Sequence, residues 1–438
     1  MKIHLTSLGC AKNQVDSELM LGMFLERGHL LCDTPEEADA IVVNTCAFIE
    51  PAVEEAIDTI LELAGLKKPQ GRLIVCGCLP ERYQYDLADS LPEVDFFFGT
   101  GAYDRVAAAI DGEFSGLARC TLPPPENVRL AHTFSGRMWS RQGFAYLKIA
   151  EGCDRRCTYC IIPRLRGRQR SRAVSDIVSE ATALADTGAR ELVLISQETS
   201  AYGRELDPPA DLAGLLAVLS DRLPDIWIRS LYLHPDSVTP ALIRVMAERD
   251  NICPYFDIPV QHAGDRMLKR MGRHHTADDL RRLFAEIRGN IPEAALRTTV
   301  MVGFPGETEA DMEQLMRFIE EIQFDHLGVF VYSDQVDLAS HSLAGHVASD
   351  LAETRLHRLM LTQADISRKL NSRRVGGKYR LLLEKQIDDH LFEGRTMFQA
   401  PDADGIVRVA CEYPAACGDF VTVRITEATE YDLSGTMV

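Results

Sequence analysis

Residues 151–160 read Glu151-Gly152-Cys153-Asp154-Arg155-Arg156-Cys157-Thr158-Tyr159-Cys160, three cysteines spaced C-x3-C-x2-C. An apolar run, 144–149, ends just before them, so they fall on a loop at the carboxyl end of an expected strand. A structural zinc site wants four ligands, and no fourth cysteine or histidine stands nearby in sequence. Three thiolates instead suit a cubane [4Fe–4S] cluster with one iron left open for an outside ligand. Spacing alone leaves zinc, or a plain structural role, as the alternative.

Five more apolar runs follow, at 192–196, 226–233, 255–260, 296–302 and 326–332, with amphipathic helical stretches at 174–187, 212–222, 240–249, 277–287 and 310–322. Six βα units predict a partial barrel whose site lies at the carboxyl ends of its strands. A long helix over 351–372 closes this region. The remaining chain turns to short β-rich runs at 379–384, 405–410 and 419–426, which predict a small antiparallel β-barrel. Upstream, strands at 2–7, 40–45 and 73–76 alternate with helices at 15–27 and 51–64, the pattern of a parallel sheet. Leu122-Pro123-Pro124-Pro125 marks a linker. The expected fold class is α/β, with units at 1–112, 139–371 and 372–438 and the linker at 113–138.

The 438 residues carry 47 lysines and arginines against 65 aspartates and glutamates, a net charge of −18. That balance argues against non-specific coating of nucleic acid, which needs an excess of cations. With 46% hydrophobic and 26% charged residues, composition is that of a folded globular protein. No window approaches eighteen consecutive apolar residues, so no membrane span is expected. Ser7-Leu8-Gly9-Cys10 looks like a lipoprotein cleavage site, but the preceding apolar stretch is too short for a secretory segment. A reducing, cytoplasmic location is expected.

Cys10, Cys46 and Cys78 each follow one strand of the N-terminal sheet, in turn-prone contexts. Ligand sites in open α/β folds lie beyond the carboxyl ends of strands, so the three can converge although distant in sequence. Cys76 is expected to point into the sheet as a small hydrophobe. The competing reading is that all four are buried structural cysteines.

The C-x3-C-x2-C motif on six βα units resembles the radical S-adenosylmethionine (SAM) superfamily, which implies Cys153, Cys157 and Cys160 as cluster ligands and SAM on the open iron, as the source of a 5′-deoxyadenosyl radical. Residues 7–18 (SLGCAKNQVDSE), 43–49 (VNTCAFI) and 75–79 (VCGCL) resemble the N-terminal domain of the methylthiotransferases, and the C-terminal region resembles a TRAM domain. The resemblance covers essentially the whole chain. It implies a second [4Fe–4S] cluster on Cys10, Cys46 and Cys78, and SAM used twice, as methyl donor and as radical source.

Two branches of that family compete, one modifying transfer-RNA adenosine and one an aspartate of the twelfth small-subunit ribosomal protein. Cys160-Ile161-Ile162-Pro163, residues 255–262 (YFDIPVQH), residues 400–407 (APDADGIV) and the ending resemble the second. Charge agrees, since residues 372–438 hold eight lysines and arginines against eleven acids, a net of −3, where an RNA-binding barrel is expected to be basic. The expected partners are therefore a basic ribosomal protein, a reductant protein and a sulfur donor, with no membrane and with RNA contact secondary. A non-catalytic iron–sulfur scaffold is the alternative from another class.

Seven arginines between Arg155 and Arg172, with no acid among them, are expected to serve the SAM carboxylate or the substrate aspartate, with Arg172 assigned to cofactor. RNA phosphates or a solvated loop are the other readings. Gly303 and Gly306, in Gly303-Phe304-Pro305-Gly306-Glu307, match the family's glycine motif and are assigned to SAM, as is Gln197; Gln261 and His262 are further pocket candidates. Residues 334–340 (DQVDLAS) depart from the family pattern, which has a glutamate and Gly-Thr there, so the conformation of that loop is open.

Overall fold

Ala40–Thr45 is buried along its whole length, as a strand covered on both faces must be, and it anchors the first sheet. The computed structural model describes residues 1–113, 118–127, 136–139, 143–411 and 414–438. The first sheet is parallel throughout, with strands β1 (Lys2–Ser7), β2 (Leu30–Leu31), β3 (Ala40–Thr45), β4 (Arg72–Gly77), β5 (Phe96–Phe98) and β6 (Cys120–Thr121) in the order β2-β1-β3-β4-β5-β6. Helices α1 (Ala11–Glu26), α2 (Glu50–Leu66), α3 (Cys78–Ser90) and α4 (Tyr103–Asp111) join them. The winding reverses between β1 and β3, so the crevice beyond their carboxyl ends is where a ligand site is expected.

Residues 120–121, within the stretch read as linker, instead form the edge strand β6. Much of the rest of that stretch lies outside the described residues. Helix α1 starts at Ala11 rather than Val15, because Lys12, Asn13, Asp16 and Ser17 are polar yet buried, which hides the first turn from a reading based on apolar spacing.

The middle of the chain gives β7 (Phe144–Lys148), a short antiparallel pair β8 (Ala150–Glu151) and β9 (Arg170–Ser171), then β10 (Glu191–Ile195), β11 (Trp227–Ser230), β12 (Tyr255–Asp257), β13 (Ala295–Val302) and β14 (His326–Val331). Strands β7, β10 and β11 form one parallel sheet and β12, β13 and β14 another. A parallel bridge between Ile228 and Ile252 links the two into one curved wall. Helices α5 (Ile162–Arg166), α6 (Val174–Asp186), α7 (Leu212–Arg222), α8 (Pro240–Glu248), α9 (Asp265–Arg270), α10 (Ala277–Asn290) and α11 (Glu309–Ile322) lie along it, and α12 (Ser349–Ser372) follows β14. Alternation along β7 divides the wall's two faces: Ala145 and Leu147 join the large outer core, while Phe144 and Tyr146 face an inner cluster with Val193, Trp227 and Tyr255.

The last unit is a closed five-stranded barrel of β15 (Lys378–Gln386), β16 (Leu391–Thr396), β17 (Val407–Ala410), β18 (Phe420–Ala428) and β19 (Leu433–Met437) in the order β15-β16-β17-β19-β18. Its pairings are antiparallel except β17 with β19, which run parallel. The β16–β17 connection plugs the inner face of the larger wall. Tyr146 Oη donates to Asp402 at 3.0 Å and Tyr255 Oη to Asp404 at 2.6 Å. Beneath them Glu191 is shared by Arg229 at 2.6 Å and Arg395 at 2.7 Å. Breaking one partner of such a buried pair leaves an uncompensated charge, so the barrel is locked to the wall rather than hung from it.

Candidate functional site

The C-x3-C-x2-C loop is held at both ends. At its start the Cys153 N–H donates to the Gly167 carbonyl at 3.1 Å, next to the β8–β9 pair. Further along, the Thr158 N–H and hydroxyl donate to the carbonyls of Met271 and Arg270 at 3.1 and 2.9 Å. Cys153, Cys157 and Cys160 are all half-buried and near enough to feel one another's charge. Burial pushes the Cys153 thiol up to about 11 and Cys160 to about 12, so a bound cation is needed to hold them as thiolates at neutral pH.

The second trio also converges. Cys10 caps α1, Cys46 follows β3 and Cys78 opens α3. A Cβ on Gly9 would stand 2.5 Å from the Cys46 Cβ, so these two turns touch. Asn13 ties them together, its side-chain amide donating to the carbonyls of Leu8 at 3.0 Å and Thr45 at 2.9 Å. Burial pushes Cys78 up to about 12, with Arg166 working against it. Cys76 lies elsewhere, fully buried in the core beside Met20.

Between the trios runs a buried polar chain that sequence reading missed. Lys148 pairs with Asp16 and, at 2.8 Å, with Glu151. Arg166 reaches Asp16 at 2.9 Å, Asn13 Oδ1 at 2.6 Å, Glu151 at 3.5 Å and the Cys78 sulfur at 3.5 Å. Burial opposes ionisation of Glu151, but Lys148 and then Arg166 outweigh it and hold its carboxyl well below the usual range. The Gln197 amide donates to Glu151, and its own carbonyl is buried with no hydrogen-bond partner. Gln197, Glu151, Arg166 and Cys78 thus belong to one connected network, which starts two residues before Cys153 in the chain.

The arginine run does not form a common clamp. Arg155 makes two 2.8 Å bonds to Glu198, Arg164 pairs with Asp337 at 3.3 Å, and Arg170 donates to the carbonyls of Pro125 and Glu126. Arg172, assigned to cofactor from sequence, is buried in bonds to Asp176 at 2.7 Å, the Lys148 carbonyl at 2.7 Å and Glu180 at 2.5 Å. These partners make it a tie between β7 and the start of α6, and its Nη2 is buried with no hydrogen-bond partner among the described residues. Of the buried lysines and arginines, only Lys12 and Arg273 lack a carboxylate partner among the described residues.

Gly303 and Gly306 both have positive φ, +76° and +83°. A Cβ at Gly303 would lie 2.6 Å from the Ala352 side chain of α12, and at Gly306 it would lie 3.0 Å from the Arg270 guanidinium. The turn also delivers the Gly303 and Phe304 N–H groups to the Glu307 carboxylate. Burial outweighs these bonds and the Arg355 partner at 2.9 Å, pushing Glu307 up to about 7. His262 is wholly buried, its Nδ1 accepting from the Ala263 and Gly264 N–H groups at 2.9 Å each. Gln261 has φ +68° and bridges Val300 of β13.

The donor sets fit cubane clusters. Each trio supplies three thiols, and among the described residues no three His, Cys, Asp or Glu side chains close to the spacing of a single bound ion. A cubane spreads its thiolates over separate corners and does not need that spacing.

Residues 2–99 match the uncharacterized protein family UPF0004, 147–319 the radical SAM superfamily and 375–438 the TRAM domain. The ribosomal protein uS12 methylthiotransferase RimO of Desulfosudis oleivorans is 60% identical over 437 residues, 99% of each chain. That of Clostridioides difficile is 44% identical over 437 residues, 99% of this chain and 98% of its own. The chain belongs to the RimO family of methylthiotransferases. It is a radical SAM enzyme, and the α/β class expected from sequence is that of the structure. A radical SAM methyltransferase, TsrM of Kitasatospora setae, shares the fold at 16% identity with a TM-score of 0.56, over 75% of this chain and 74% of its own. Among the described residues no helix is long and apolar enough to cross a membrane.

Proposed function

We propose that the protein installs a methylthio group on the β-carbon of an aspartate of ribosomal protein uS12. Cys153, Cys157 and Cys160 would hold one [4Fe–4S] cluster, and Cys10, Cys46 and Cys78 the second. When bound, the clusters and SAM supply the radical, the sulfur and the methyl group. The chain supplies position and dryness. The two tied loops fix each trio, the Lys148–Asp16–Glu151–Arg166 network keeps a charged but fully paired floor between them, and Gln197 offers an unpartnered buried carbonyl to SAM. Gly303 and Gly306 shape the turn bordering that cofactor. The division at 112, 138 and 371 belongs to the same reading, as do a cytoplasmic location, a reductant protein and a separate sulfur donor.

The observation that supports this is Arg166, which follows Cys160 on α5, hydrogen-bonds the Cys78 sulfur and meets Glu151, in a chain that matches its relatives end to end. The acidic C-terminal barrel supports a basic protein as substrate rather than RNA. The test is anaerobic reconstitution followed by separate incubation with uS12 and with transfer RNA, products being read by mass spectrometry. Methylthio-aspartate in uS12 is expected. Methylthio-adenosine with unmodified uS12 would overturn the assignment, and absence of 5′-deoxyadenosine under reducing conditions would point to a scaffold.

A further inference from the structure

Lys12 breaks three rules of stability at once. It sits in the first turn of α1, where the helix dipole disfavours a cation. It is only 9% exposed, and a cation so largely withdrawn from water is normally paired. Yet it makes no ion pair or hydrogen bond among the described residues, and its Nζ lies 3.4 Å from the centroid of the Tyr232 ring. The neighbouring buried cations Lys148 and Arg166 are each satisfied by carboxylates.

Tyr232 is itself in an unusual state. It follows the carboxyl end of β11 with φ +62°, a conformation costly for a bulky residue. The Asp257 carboxylate accepts its N–H at 2.8 Å and the Thr199 N–H donates to its carbonyl at 3.0 Å, which fixes it there. The wall thus invests strain in presenting a ring face to the ammonium. A cation–π contact leaves the ammonium's N–H groups free to donate elsewhere.

The position is the junction of the site. Lys12 is two residues from Cys10, and Cys10 and Tyr232 both line a cavity of about 400 Å³ with Tyr146, Leu231, Pro401 and Asp402. That cavity is bounded by all three units of the chain. An ammonium without a carboxylate partner, next in sequence to residues that line such a cavity, is a receptor for a carboxylate, since a charge-assisted pair there would supply the missing partner.

We infer that Lys12 binds the side-chain carboxylate of the substrate aspartate and thereby selects an aspartyl substrate, resting on the uS12 reading above. One carboxylate oxygen would accept from Nζ, with the Tyr232 ring holding the ammonium in place. Lys12 is thus a binding and specificity residue, and no bond is made or broken at it.

The test is equilibrium binding, without reductant, to the anaerobically reconstituted protein. Four combinations are measured: wild type and Lys12→Met, each with uS12 and with uS12 whose target aspartate is replaced by asparagine. Wild type is expected to prefer the aspartate form by about tenfold or more. Lys12→Met is expected to bind both forms equally, and Lys12→Arg to recover part of the preference. Iron content equal to wild type shows that the Met variant is folded and loaded; loss of iron sends the test to Lys12→Gln, judged by the same ratio. A Met variant that keeps the aspartate preference overturns the inference. A fall in SAM affinity with the preference intact reassigns Lys12 to the cofactor and also overturns it. If wild type binds neither form, the uS12 reading fails first and the inference falls with it.

Discussion

Arg166 Nη2 lies 3.5 Å from the Cys78 sulfur, although the two residues are 88 positions apart and belong to different units of the chain. Arg166 ends the short helix that begins two residues after Cys160. The guanidinium is therefore tied by backbone to one cysteine trio and by hydrogen bond to the other. Nη2 also donates to Asn13 Oδ1 and Nη1 holds Asp16, both on the helix that starts at Cys10's side.

Replacing it tests whether this bridge is more than filler. Arg166→Met leaves Asp16 and Glu151 sharing Lys148 alone, and a stability loss of about 3–5 kcal/mol is expected in urea denaturation. Arg166→Lys keeps the charge but not the fork, so an intermediate loss is expected. In the loaded protein, losing a donor to a thiolate makes its cluster harder to reduce. Potentiometric titration should show the N-terminal cluster shifting to lower potential while the other stays in place; equal shifts in both would mean a global disturbance instead.

Cys76 and Cys78 are adjacent in sequence pattern and opposite in environment. Cys76→Ala removes one buried sulfur from the core, at a cost of about 1–2 kcal/mol, and iron content after anaerobic reconstitution should match wild type. Cys78→Ala should lose the N-terminal cluster's share of the iron and leave the C-x3-C-x2-C cluster's share. A reversed pattern would show that the second trio runs through Cys76.

The legible parts of this chain were those with one dominant signal. Buried strands are built on runs of branched apolar residues such as 41–43 and 192–195, and Leu212–Arg222 is flanked by Asp211, which caps its first turn through Gly214. β5 and β6 escaped because two or three residues leave no periodicity to read, and β16 and β19 because Gly394 and Gly435 interrupt already short runs. The thiols of the site could be read because cysteine triplets are rare. Its charged network could not, because Asp16, Lys148 and Glu151 look like ordinary surface residues until the fold buries them, and nothing in sequence sets Arg166 apart from the other arginines of its run. The arginine run misled for the same reason, since sequence shows the cations together and hides the carboxylates that reach them from other elements.

The atypical segment 334–340 is explained by such a partner. Arg82, buried on α3, donates to Asp337 at 2.5 and 3.0 Å and to Gln335, while Arg164 meets Asp337 at 3.3 Å. The loop that lacks the family's glycine is fastened to the N-terminal unit by side chains. Arg82→Ala and Asp337→Ala should each destabilise the protein, and together by less than the sum, with a coupling of about 1–3 kcal/mol in a double-mutant cycle. Additive effects would mean that the loop is held some other way.

Acid should find a weak point at His262. Burial, opposed by Asp311 and aided by Arg266 and Arg355, pushes its ring down to about 4, and Nδ1 is already occupied by two N–H donors. The unfolded chain protonates the same ring near its ordinary value of about 6.5. The unfolded state thus binds the extra proton first, so stability is whole above about pH 6.5 and falls as the pH drops from there towards 4. Between pH 7 and pH 5 this one ring should account for about 2 kcal/mol. His262→Asn keeps an acceptor where Nδ1 stands and removes the titration, so its stability at pH 7 should be lower or equal but its loss on going to pH 5 smaller than that of wild type. Urea denaturation at both pH values reads the difference directly, and parallel losses in the two proteins would remove His262 from the acid response.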